Sequence, residues 1–195
     1  MQIKKIKDSK WQKFKVKCNG LDNENIFRLL ETEKEIALDS NASFSVEDCD
    51  FLQKNRFTKQ FLYIEQPLPV GKYPILDTNL NATWMADEDC QDLTYLEKLQ
   101  PHYSAINIKL MKCGGITPAL ELIKEAKKLK YKIMIGCMTE SSVGISAGIA
   151  VASLCDYADL DGANLISNDF AKGSSVENGK LVLSRNPGLG IEMIS

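Results

Sequence analysis

Short apolar runs that each stop at a charged residue recur along this chain at a nearly constant stride. Lys15 and Lys17 lie in FKVK, Asp39 closes EIALD and Glu65 closes FLYIE. Asp87 follows TWMA, Lys109 lies in INIKL, and Asp159 and Asp161 lie in YADLD. Counted from Lys17, the steps are 22, 26, 22 and 22 residues, then 50 (two strides) to Asp159. The skipped halfway point falls on KIMIG, another apolar run ending just before Cys137. These runs predict strands over 12–17, 35–39, 61–65, 82–86, 105–110, 132–136 and 157–161.

The clearest helical pattern is 116–130, ITPALELIKEAKKLK, with apolar Leu120, Leu122, Ile123, Ala126 and Leu129. Thr117-Pro118 suits its first turn, because a hydroxyl can cap and proline is tolerated there. Segment 142–155 is rich in small residues and apolar nearly all round, which predicts a helix packed closely on a sheet. Segments 22–32 and 91–99 read as weaker helices, and 73–80 is too short and polar to assign. Beyond 168 the pattern changes, with Glu177-Asn178-Gly179-Lys180 predicting a hairpin turn. Strand–helix units of this length predict an α/β fold. It is a (β/α) TIM-type barrel, incomplete, with seven of eight strands. No linker or low-complexity tract divides the chain, so residues 1–195 read as a single barrel domain.

Composition narrows the function. A net charge of -2 argues against a nucleic-acid partner, which requires concentrated Lys and Arg. No stretch approaches the roughly 18 uninterrupted apolar residues of a membrane span. Six cysteines are scattered without a CxxC pair, which reads as reduced thiols in a cytoplasmic protein. His102 is the only histidine, so a multi-histidine metal site is excluded and a histidine-based catalytic triad is disfavoured. General acids and bases must then come from Lys, Asp or Glu.

A charge at the end of a buried strand is expensive unless a site uses it. Residues two apart on a strand share a face, so Lys15 and Lys17 pair, as do Asp159 and Asp161. Asp39, Glu65 and Asp87 would reach the C-terminal mouth of the barrel from three consecutive strands. Three hard oxygen ligands there suit Mg²⁺. Lys17 and Lys109 would flank the metal from opposite sides, each near a cation that makes the amine form more accessible. Two bases around such a metal imply removal of a proton α to a carboxylate and its return from the other face. Asp159 and Asp161 would suit a substrate ammonium group. Each motif alone has a plain structural reading: K-x-K on an exposed edge strand, or D-x-D at a turn. The joint order of the motifs favours the site.

Taken together, FKVK, LDSN, YIEQPLP, MADED, INIKLMKCGG, GCMTESSVG, YADLD and NPGLGIEM resemble the enolase superfamily. Within it they resemble the muconate-lactonizing subgroup, and there the dipeptide epimerases of the L-Ala-D/L-Glu type. The motifs span Lys15 to Met193. The resemblance implies Lys17 and Lys109 as acid/base catalysts, with Lys15 contacting the substrate carboxylate or the enediolate. Asp39, Glu65 and Asp87 become the Mg²⁺ ligands, with Asn41 behind them. Asp159 and Asp161 become the ammonium site, and Cys137, Met138 and Thr139 line the pocket. Lys112 is left at the surface. The implied substrate is a small dipeptide, Ala-Glu from peptidoglycan turnover by default. N-acylamino acid racemisation and o-succinylbenzoate synthesis are the alternatives within the subgroup, and an inactive barrel fragment is the alternative outside it. The family's N-terminal α+β capping domain and first barrel strand have no counterpart here, so a truncated gene product is the expectation. A homo-oligomer, or a cap supplied by another chain, are the macromolecular partners this leaves open.

Overall fold

The computed structural model describes residues 3–194. All seven strands read from the sequence are present: β1 (Lys13–Lys17), β2 (Glu35–Asp39), β3 (Ile64–Glu65), β4 (Trp84–Ala86), β5 (Ala105–Lys109), β6 (Lys132–Gly136) and β7 (Tyr157–Asp159). Their order in the sheet is their order in the chain. The helices are α1 (Ile3–Lys7), α2 (Val46–Lys54), α3 (Leu96–Leu99), α4 (Leu110–Cys113), α5 (Ile116–Lys128) and α6 (Ser142–Ala152). None is long and apolar enough to cross a membrane.

Two compact units are distinguished: residues up to Cys90 with Glu97–Ile106, and Gln91–Leu96 with the chain from Asn107 onward. In the first, β1 to β4 and the start of β5 pair in parallel. The register sets Lys17 opposite Asp39, Asp39 opposite Glu65, and Glu65 opposite Met85. Ile36, Leu38, Ile64, Trp84 and Met85 are fully buried, as are Leu29 and Leu52 outside the strands. Strands covered on both faces need no polar alternation, which is why EIALD and TWMA read as continuous apolar runs.

In the second unit β6 pairs with β7 in parallel, with Gly136 opposite Asp159. α5 buries Ala119, Leu122, Ile123 and Ala126, whereas Leu120, counted in the apolar stripe from the sequence, is exposed. α6 is the small-residue helix. A Cβ at its Gly148 would stand 2.8 Å from Leu160 Cδ2, so the glycine is what allows that approach. The tail carries β8 (Ala171–Lys172), β9 (Ser175–Glu177), β10 (Lys180–Val182) and β11 (Glu192–Met193). β9 and β10 form the hairpin read from the sequence. Asn178 and Gly179 both have positive φ, 51° and 67°, as a two-residue primed turn requires.

Several boundaries differ from the sequence reading. Strand 61–65 contracts to two residues and 157–161 to three, and the run 105–110 gives up Leu110 to α4. Segment 22–32 is a 3-10 turn at Ile26–Thr32, and 91–99 is a 3-10 turn running into α3. Within 73–80 only Tyr73–Ile75 is helical, again 3-10. α2 had no counterpart in the sequence reading. Its register is set by a capping box: Ser45 Oγ accepts from Asp48 N at 3.1 Å, and Asp48 Oδ2 accepts from Ser45 N at 2.9 Å. His102 is a packing residue, its Nδ1 3.0 Å from Leu76 O and its ring 5.4 Å from Tyr73. The six cysteines are free thiols.

The capping box predicts that Ser45→Ala lowers unfolding free energy by about 1 kcal/mol. Urea denaturation followed by far-UV circular dichroism measures it, and an unchanged midpoint would remove the cap from the account of α2.

Candidate active site

In the first unit, β2, β3 and β4 each lead into a carboxylate. Asp39 and Glu65 are the last residues of their strands and lie opposite one another. Asp87 follows β4, two residues beyond Met85, the residue opposite Glu65. All three are buried, at 2%, 1% and 2% exposure, so burial alone would make three charges here strongly unfavourable.

β1 supplies the compensating cations. Lys15 Nζ lies 2.8 Å from Glu65 Oε2 and 3.2 Å from Asp39 Oδ2. Lys17 Nζ lies 3.3 Å from the same Asp39 oxygen and 3.2 Å from Asn41 Oδ1. Two lysines two residues apart thus meet one oxygen atom, which verifies their shared face. Their exposures separate them: the Lys15 side chain is 21% exposed and the Lys17 side chain 72%. Asn41, at φ 44°, also donates its backbone N–H to Asp39 Oδ1 at 3.1 Å, so it touches both partners of that ion pair.

Burial drives the Glu65 carboxyl up to about 7. Lys15 opposes the rise, and the fields of Asp39 and Asp87 add to it. Burial thus outweighs the help that Lys15 gives the charged form. Three buried carboxylates, an all-oxygen donor set, fit a hard divalent cation in kind. Among the described residues no group of three or more His, Cys, Asp or Glu side chains is arranged to hold a metal ion. Lys15 spans Asp39 and Glu65 instead, its ammonium lying against both carboxylates.

The second unit carries the remaining candidates. Lys109 ends β5, is 9% exposed, and has its Nζ 4.0 Å from Met138 Sδ. The chain turns sharply after it: α4 is a single turn, and Gly114 and Gly115 follow at φ 98° and 116°, values that favour glycine. Lys112 is half-buried, donating to Asn107 O at 3.0 Å, which makes it a tie within this turn. Cys137, Met138 and Thr139 follow β6 directly, with Cys137 half-buried and the other two exposed. Burial pushes the Cys137 thiol up to about 11, and Asp159, Glu140 and Asp161 push the same way, which locates both aspartates near that sulfur. Asp159 ends β7, but Asp161 lies beyond it and opens a 3-10 turn at Gly162–Leu165. The pair therefore does not share a continuous strand as its spacing suggested. A Cβ at Gly162 would collide with Met138 O and approach Cys137 Sγ, so the 137–139 loop rests against that glycine.

Two buried residues were missed from the sequence. Gln66 and Asp89, at 0% and 3% exposure, stand beside Glu65 and Asp87 within YIEQPLP and MADED. The signal open to a sequence reader was their place in YIEQPLP and MADED, one and two residues after a carboxylate that ends a strand run. Tyr103 joins them, its hydroxyl donating to Asp89 Oδ2 at 2.8 Å.

Parallel strands in chain order, six of the seven ending at or just before a charged residue, define a (β/α)-barrel of the kind that builds its site at the strand ends. The chain matches the family described as enolase C-terminal domain-like over residues 2–194, and it belongs to that family. Its fold is an incomplete TIM barrel of the enolase superfamily, with seven parallel strands. It is 38% identical over 200 residues to an L-Ala-D/L-amino acid epimerase of Maribacter sp., covering 98% of this chain and 58% of that protein. A dipeptide epimerase from Methylococcus capsulatus, solved in complex with Mg, superposes with a TM-score of 0.82 at 32% identity. That match covers 94% of this chain and 58% of the other. An enolase family member from Agrobacterium tumefaciens with homology to dipeptide epimerases, solved with sodium and L-Ala-L-Glu, superposes with a TM-score of 0.81 at 30% identity. There the coverage is 93% of this chain and 57% of that one. The chain thus spans less than two thirds of the length of these relatives.

The Glu65 environment predicts a pH-dependent stability. An ordinary Glu titrates near 4.5 and this one at about 7, so between those values the folded chain holds a proton that the unfolded chain lacks. Its contribution is fully present below pH 4.5 and is lost as pH rises through 7. Metal-free wild type should lose up to about 3 kcal/mol across that window relative to Glu65→Gln. Urea unfolding of both proteins at several pH values measures the difference, and parallel curves would remove Glu65 as the titrating group.

Proposed function

We infer that this chain forms the barrel part of a Mg²⁺-dependent dipeptide epimerase, an isomerase that moves a proton at the α-carbon of the dipeptide's C-terminal residue. The observation that carries the reading is the charge cluster of the first unit. Three buried carboxylates end adjacent parallel strands, and two lysines from one strand face meet a single oxygen of Asp39. The epimerase names and the Mg²⁺ and dipeptide ligands of the relatives support it.

In this reading Asp39, Glu65 and Asp87 hold the metal. Bound Mg²⁺ supplies fixed positive charge to a substrate carboxylate and offsets the negative charge that grows as the α-proton leaves. Lys17 and Lys109 carry the proton chemistry: one in its amine form takes the α-proton, and one in its ammonium form returns a proton. Lys15, the less exposed lysine of β1, stays cationic and contacts the substrate carboxylate once it moves from Asp39 and Glu65. Asp159 and Asp161 accept the α-ammonium group, which favours a free dipeptide over N-acylated substrates. Cys137, Met138 and Thr139 line the pocket. An Ala-Glu dipeptide from cytoplasmic peptidoglycan turnover is the default substrate.

The test is α-proton exchange in D₂O followed by NMR, with Mg²⁺ and a dipeptide panel that includes Ala-Glu. Exchange should occur with wild type and cease with EDTA, and Lys109→Ala should slow it by about 10²–10⁴-fold. Exchange unaffected by EDTA would overturn the metal assignment, and no exchange on any dipeptide would overturn the activity.

A separate expectation concerns the two aspartates. Asp159→Asn and Asp161→Asn should each weaken use of a free dipeptide at least about tenfold, the loss of one charge-assisted contact. They should leave any turnover of the N-acetylated analogue unchanged. Equal losses on both substrates, read as kcat/KM, would move these residues out of the ammonium site.

A further inference from the structure

The three carboxylates come from three separate strands, yet one residue is bonded to the chain beside all of them. Gln66 immediately follows Glu65 and is fully buried, with φ 36°, a left-handed conformation unusual for a glutamine. Its carbonyl accepts from Ala42 N at 2.7 Å and from Ser40 Oγ at 2.6 Å, which fastens the turn after Asp39. Its side-chain Oε1 accepts from Asp87 N at 3.0 Å and Asp89 N at 3.1 Å, which fastens the turn after β4. Its Nε2 donates to Leu68 O at 2.8 Å and Asp89 Oδ2 at 2.8 Å. Its backbone N–H donates to Met85 O at 2.8 Å.

Every polar atom of Gln66 is therefore engaged, and the bonds run to the ends of β2 and β4 from the end of β3. Asp89, the main side-chain partner, is itself held: Gly71 N donates to its Oδ1 at 2.8 Å, and Tyr103 OH donates to its Oδ2. A buried network this fully satisfied has one low-energy arrangement, because any shift strands a donor or acceptor away from water. The positive φ fits the same account. It turns the Gln66 side chain back across β4 while its carbonyl faces β2, and a strained backbone persists only where its surroundings fix it.

We propose that Gln66 is the positioning residue of the carboxylate set, a clamp that fixes the mutual spacing of Asp39, Glu65 and Asp87 by tying their strand ends together. The inference rests on the metal-binding reading above, in which that spacing sets cation affinity. Gln66 itself touches neither metal nor substrate in this scheme. It acts through the backbone on either side of the three ligands.

The test uses the full chain and Mn²⁺ as the probe, with binding read by electron paramagnetic resonance and backbone amide exchange read by NMR. Gln66→Met keeps length and removes both side-chain functions. Ser45→Ala, which removes the N-cap of α2 and none of the bonds of Gln66, serves as the control for a purely structural loss. With Gln66→Met folded, Mn²⁺ affinity should fall by about 10–100-fold, the range typical when a group supporting a metal ligand is lost. Ser45→Ala should bind as wild type does. Unchanged affinity in folded Gln66→Met would overturn the clamp.

If wild type itself binds no Mn²⁺, the metal-binding reading falls and the clamp is decided by exchange alone. The amides of Asp87, Asp89 and Ala42 should then exchange at least about tenfold faster in Gln66→Met than in Ser45→Ala, because loosening must reach the far strand for the clamp to hold. An unchanged Ala42 amide would overturn it. Should Gln66→Met not fold, Gln66→Glu decides the matter by the same two measurements, since it keeps the acceptor but loses both Nε2 donors and sets a carboxylate against Asp89.

Discussion

Withdrawal of three neighbouring carboxylates from water is the constraint around which the first unit is organised. Asp39, Glu65 and Asp87 are each almost wholly withdrawn from water, and charges so placed destabilise a fold unless opposite charge or hydrogen bonds answer them. Lys15 answers two of the three directly. Lys17 shares Asp39, with most of its own side chain in solvent. The raised Glu65 carboxyl reflects burial first, with the fields of Asp39 and Asp87 adding to it. A fold selected for stability alone would have little reason to carry this arrangement, and a site that needs concentrated negative charge has every reason to.

The parallel register makes the arrangement possible. Because β2, β3 and β4 point the same way and their ends lie level, each strand delivers one carboxylate into the same neighbourhood. β1 runs alongside with the same polarity, so its last lysine stands opposite Asp39. In an antiparallel sheet, alternate strands would have sent their terminal residues to the other edge. The second unit repeats the principle: Lys109 and Asp159 end β5 and β7, and Cys137 follows β6. Sharp turns carry the chain away from these ends, at Gly114-Gly115 after Lys109 and against Gly162 after Asp161.

Legibility in the sequence followed how each element is stabilised. The seven strands were readable because burial on both faces writes a dense apolar run, and the charge that closes all but the KIMIG run stood out against it. α5 was readable from its two-sided pattern, and the 178–179 turn from an Asn-Gly pair with a single favoured geometry. α2 was not. Its buried residues are only Cys49, Leu52 and Gln53, too thin a stripe to mark a helix, although Ser45 and Asp48 carried the capping signal. The aspartates of YADLD were found but misread in detail, because strand alternation says nothing about where a strand stops. Gln66 and Asp89 were illegible as a device. Their partners are mostly backbone groups on other turns, and nothing in the spelling of the chain names a backbone partner.

Saturation of hydrogen bonding at Gln66 has a consequence for anyone who would redesign these strand ends. Of the twenty side chains, only a primary amide of this length offers one acceptor for two amides and two donors for a carbonyl and a carboxylate. Asparagine is too short, glutamate lacks the donors, and apolar isosteres lack both. Position 66 has an alphabet of one letter.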